Sequence, residues 1–142
     1  MRARLAAAAL SAVLATLCSA ASGALSLSVV VTNSSGALMA NVSNVPFIGG
    51  CAAGGGMTAW QATLLAGAAA PVAINVQWQV FSGAVTGVYV TAIDGEAADK
   101  TRYWALSLNG AAASVGADEL AVAAGDVVGW ALVAGGSGAP RW

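Results

Sequence analysis

The chain has 142 residues, 58% of them apolar and only 8% charged, with five Lys and Arg against six Asp and Glu. A net charge of −1 without a basic patch argues against nucleic acid as a partner. There is no histidine, which removes the commonest general base, the commonest metal ligand and any Ser-His or Cys-His nucleophile pair.

Arg2 and Arg4 precede an apolar run from Leu5 to Leu17, broken only by Ser11 and Thr16, and small residues follow from Ser19 to Ala24. Basic, apolar and small-residue regions in that order mark residues 1–23 as a secretory signal peptide and the protein as extracellular. The apolar run is shorter than the roughly 20 residues a membrane span needs, so no stable span is expected. An uncleaved anchor is the alternative; a lipidated Cys18 would want a small residue where Leu17 stands. Residues 24–135 then form one domain, with a flexible tail over 136–142.

After cleavage Cys51 is the one cysteine left, so no intramolecular disulfide can form. Two readings stay open for it: a buried apolar thiol, or a bridge linking two copies in an oxidising compartment. Asn33-Ser34-Ser35 and Asn41-Val42-Ser43 are glycosylation acceptors, used only in a host that glycosylates.

From Leu25, apolar Leu27, Val29 and Val31 alternate with Ser26, Ser28, Val30 and Thr32, the period of a half-buried strand. Asn33-Ser34-Ser35-Gly36 is turn chemistry, and Leu38 to Val45 returns as a second strand that Pro46 ends. The glycines from Gly49 to Gly56 do not make a phosphate loop, because Met57 stands where the lysine is required. Thr58 with Gln61 is a capping box, so a helix starts there and closes near Gly67 to Pro71. Strands follow at Ile74–Val80, Val85–Ile93, Arg102–Leu108 and Val127–Val133, with a type I′ hairpin turn at Asn109-Gly110. One hairpin, one helix and a further set of strands predict an α+β fold, a β-grasp whose mixed sheet packs on a single helix.

Little of this carries catalytic chemistry. Asp94, Glu96 and Asp99 cluster in one turn, and Asp118 with Glu119 in another. They read as solvated turn acids rather than a calcium loop, which needs more ligands and a central glycine. No metal, cofactor or enzymatic activity is expected. Trp60, Trp78 and Trp130 read as core, and Trp142 as part of the tail. Trp104, which shares a strand face with Leu106 and Leu108, reads equally as core or as facing a ligand.

The order Ile93-Asp94-Gly95, Tyr103-Trp104, Asn109-Gly110, Gly116, Asp118–Val122, Gly125-Asp126 and Trp130 resembles the C-terminal β domain of the transcobalamin and intrinsic factor family, secreted carriers of cobalamin. The resemblance implies the same β-grasp fold and a corrinoid as ligand. It also implies two contact segments: Val85, Thr86, Gly87, Val88, Tyr89 and Val90, and then Trp104, Ala105, Leu106, Ser107, Leu108, Asn109 and Gly110, reaching toward Ala113. In the carriers a large helical domain supplies most of the corrin surface, so a separate helical partner is the matching expectation. The chain is therefore expected to be a secreted, non-enzymatic binding module. A structural or protein-interaction module of the cell surface or matrix, with the same fold and no small ligand, is the alternative.

Overall fold

The computed structural model describes residues 25–47, 56–69, 74–81 and 87–135. The expected signal segment, Cys51, Val85, Thr86 and the 136–142 tail lie outside these. The elements in chain order are β1 (Ser26–Thr32), β2 (Leu38–Pro46), β3 (Met57–Thr58), α1 (Ala59–Ala68), β4 (Val76–Phe81), β5 (Gly87–Ile93), β6 (Glu96–Ala97), β7 (Arg102–Leu108), β8 (Ala111–Ala112), β9 (Ala121–Val122) and β10 (Val127–Ala134).

The alternation in β1 does what its period of two dictates: Leu27, Val29 and Val31 are buried, and the residues between them are half-exposed. In β10 the same rule buries Val128, Trp130 and Leu132. These two strands lie side by side and parallel at the centre of a five-stranded sheet of order β2-β1-β10-β7-β8, whose other pairs are antiparallel. Full burial of each Val or Leu here contributes about 1.5–3 kcal/mol. A parallel pair needs a long crossover rather than a tight turn, and everything from β2 to β9 forms it.

Helix α1 covers the buried face of this sheet. Thr58 accepts from the Gln61 amide at 3.3 Å, while Gln61 Oε1 accepts from the Thr58 amide at 2.9 Å, closing the capping box expected from sequence. Small residues face the sheet (Ala59, Ala62, Thr63 and Ala66), and their size lets the helix approach closely. One polar link crosses the layers. Trp130 Nε1 donates to Thr63 Oγ1 at 3.0 Å, and Thr63 Oγ1 donates to the Ala59 carbonyl at 2.8 Å. Thr63 is the one buried polar residue among those described, and both its bonds are satisfied.

The strands fall into more than one sheet. β4, β5 and β6 form a separate three-stranded sheet, and β3 pairs with β9 in a small two-stranded one. β7 pairs with β10 along its whole length, while its short return strand β8 takes only Ser107 and Leu108 at the end of its other edge, and β5 pairs with β4 and β6 instead. The separate sheet still joins the common core through Val90 and Ile93 of β5, with Ile74 just ahead of β4. Two-residue strands such as β3, β6, β8 and β9 are too short to show a period, so sequence reasoning passes over them.

Both tight hairpins use left-handed pairs. Asn109 and Gly110 lie at φ 52° and 81°, and Asp94 and Gly95 at 49° and 84°. Positive φ at both central residues is the type I′ requirement expected for Asn109-Gly110.

Candidate functional site

The two segments implied by the family resemblance land in different sheets. Of the first, Gly87, Val88 and Tyr89 are half-buried at the start of β5, and Val90 is buried. The Val88 amide donates to Asp118 Oδ1 at 3.3 Å, which ties this end of β5 to the loop after β8. That loop also meets the helix start, where the Trp60 amide donates to the Ala117 carbonyl at 2.8 Å.

The second segment is β7 and its hairpin. Trp104 is only 5% exposed, and its Nε1 donates to the Glu96 carbonyl at 3.2 Å. Of the two readings of this residue, the structure places it in the core; it presents no flat face outward. Glu96 opens β6, just beyond the Asp94-Gly95 turn, so Trp104 packs at the end of β5 remote from Gly87. Along an extended strand that separation is about 20 Å. Leu106 and Leu108 share its face and pack on the core.

Ala105 and Ser107 point to the other face and are half-buried. Ser107 Oγ donates to the Gly129 carbonyl at 3.4 Å, and a side chain at Gly129 would collide with that hydroxyl. Asn109 is exposed but engaged: its Nδ2 donates to Asp126 Oδ1 at 2.9 Å, and its Oδ1 accepts from the Val127 amide at 2.8 Å. Its amide therefore clamps the hairpin to β10. Gly110 remains exposed.

The acids brace turns. Asp94 Oδ1 accepts from the Asn75 amide at 2.7 Å, and Asp126 Oδ2 accepts from the Ala123 amide at 2.8 Å. Asp99 does the most. Its Oδ1 accepts from the amides of Thr101 and Arg102 and from Thr101 Oγ1, and its Oδ2 accepts from the Arg102 guanidinium at 2.8 Å. Hydrogen bonds from Thr101, then those from Arg102, hold its carboxyl well below the ordinary value of 3.8. A depressed folded-state value means the charged form supports the turn above the unfolded titration point, and that support is lost as pH falls through the folded one. Asp99→Asn should therefore lower the melting temperature at neutral pH, and the gap to wild type should begin to narrow below about pH 4 and close only as pH falls through the lower folded-state value. Parallel melting curves across pH test this. A gap that stayed constant into acid would show that the charge is not what braces the turn. Among the described residues, no three His, Cys, Asp or Glu side chains gather where they could hold a metal ion.

The sequence reading erred on Trp78. It is 46% exposed rather than core, and Val80 beside it is 70% exposed. The alternation of β4 is genuine, but β4 is the outer strand of its sheet, so its apolar side is only partly covered. Trp78 leans edge-on against Trp60, with ring centroids 5.1 Å apart. With Leu64, Gly67, Ile74 and Val76 it lines an open groove of about 340 Å³ between α1 and β4. Gln77 and Gln79 mark only their own face as solvent-facing, and nothing in the strand's sequence signals that the Trp78 side is exposed as well. Both sequons also lie at the surface. Asn33 Oδ1 organises the β1–β2 turn by accepting from the Ser35 and Ala37 amides, and Asn41 is exposed on β2.

Among the described residues no helix is long and apolar enough to cross a membrane. No curated protein matches the chain. Residues 72–134, which run from just before β4 to the end of β10, match a family described as a domain of unknown function, DUF4430.

Proposed function

We propose that the chain is an exported, non-enzymatic binding module on a β-grasp scaffold, with a corrinoid as its ligand class. Strand order is the observation that supports the scaffold. A β-grasp sets its last strand parallel beside its first, with one helix packed across them, and β2-β1-β10-β7-β8 with α1 follows that rule. The corrinoid comes from the resemblance to the cobalamin carriers. The parts of the two inherited segments open to such a ligand are the half-exposed Gly87–Tyr89 stretch of β5 and the exposed Gly110 turn. Trp104, being buried, is left out of the contact set.

One open wall buries little of a large ligand, so binding is expected to be weak, about micromolar or poorer. With no histidine in the chain to coordinate cobalt, cobalamin and a cobalt-free corrinoid should bind alike. Calorimetric titration with both tests the reading. Saturable heat of similar size from each supports it, and none up to about millimolar ligand overturns it.

The burial of Trp104 and the exposed apolar side of β4 favour a second reading, a structural or protein-interaction module with the same scaffold and no small ligand. Failure of the titration would leave that reading standing.

A further inference from the structure

The three-stranded sheet ends on β4, whose outer edge pairs with no strand among the described residues. An open edge offers a row of unpaired N–H and C=O groups, and folds usually blunt such edges. The other outer strands here are blunted. β2 carries two register shifts, Asn44 at φ 63° and a terminal Pro46, while β6 and β8 are two residues each. β4 has none of these devices. It is six residues long and uncharged, and Gln77, Trp78, Gln79 and Val80 are all exposed. Its one register shift comes from an extra residue on the partner: Gln77 faces Ala92 and Trp78 faces Val90, so Thr91 of β5 is the bulge and β4 itself stays regular.

The sequence of this edge is symmetric. Residues 76–80 read Val-Gln-Trp-Gln-Val in either direction. Antiparallel pairing about a two-fold axis at Trp78 therefore sets Val76 opposite Val80, Gln77 opposite Gln79, and Trp78 opposite its own copy. A two-fold contact demands that kind of self-complementarity, because each patch must fit itself. No charge on the strand opposes the approach. Facing glutamine amides carry both donors and acceptors, so either orientation can bond across. Leu64, 39% exposed on the same groove as Trp78, adds apolar surface to the contact.

We propose that the protein pairs with a second copy of itself through β4, joining two three-stranded sheets into one continuous antiparallel sheet across a two-fold axis at Trp78. This contact is independent of both the corrinoid reading and any bridge through Cys51. Gln77 and Gln79 are the residues to change, since both are exposed and their replacement leaves the core intact.

Sedimentation velocity of the secreted chain in reductant, which opens any disulfide bridge, reads the state of assembly. The wild type should sediment as a dimer. Gln77→Lys with Gln79→Lys puts two like-charged pairs across the axis and should give monomer with an unchanged far-ultraviolet spectrum. Gln77→Glu with Gln79→Glu should do the same. An equimolar mixture of the two monomers should return to dimer, because every facing pair is then of opposite charge. A wild type that stays monomeric up to about 100 μM, beyond the range of a specific contact, overturns the proposal. So does a dimer that survives the lysine pair, or a mixture that fails to reassociate.

Discussion

Trp104→Ala should destabilise the fold by about 3–5 kcal/mol, the range for truncating a large aromatic in a packed core. Trp104 sits beside Leu132 in the β7–β10 ladder, and its indole N–H is held by the Glu96 carbonyl. Truncation would open a cavity beneath the sheet and release that carbonyl, which anchors the three-stranded sheet to the five-stranded one. Trp78→Ala should cost less than about 1.5 kcal/mol, because a half-exposed ring gives up much less buried area. Urea denaturation of both variants under one set of conditions measures the difference. Equal costs would mean that Trp104 is not the core residue its burial implies.

Thr63→Val should cost about 1–3 kcal/mol although it preserves the shape of the side chain. The hydroxyl it removes is the acceptor for Trp130 Nε1, and that indole lies where no water reaches it. An unpaired buried donor bears its full desolvation penalty, which exceeds the net worth of an ordinary hydrogen bond. The same substitution in a Trp130→Phe background, which has no indole N–H, should cost clearly less. That coupling is the specific signature, and a double-mutant cycle by urea denaturation reads it. Additive costs would show that the Thr63–Trp130 bond contributes nothing beyond packing.

These two residues also mark where reading a sequence reaches its limit. Trp104 alternates with Leu106 and Leu108, which places all three on one face of β7 but does not say which face the helix covers. That choice depends on α1, forty residues earlier in the chain. Thr63 is a polar residue in a helix whose only strong sequence signal is its cap. Nothing local to it announces that the indole of Trp130 will arrive from β10.

Local chemistry was decided by the residues themselves. The period of two in β1 and β10, the Thr58–Gln61 capping box and the paired positive φ at Asn109-Gly110 are determined by sterics and hydrogen bonds within a few residues; the expected stop at Pro46 is not seen, since Pro46 pairs with Ser26 and the Phe47 amide donates to the Leu25 carbonyl. The sequence alone therefore sufficed for the long strands, the helix start and the mixed-sheet class. What it could not determine was which strands share a ladder. Hydrogen-bonding edges carry no sequence mark, so the division into a five-stranded, a three-stranded and a two-stranded sheet became visible only in the tertiary structure. β4 lies at an outer edge of its sheet, and Trp78 is a surface residue there rather than the expected core one. Burial depends on what packs against a residue, and only the tertiary structure supplies that neighbour.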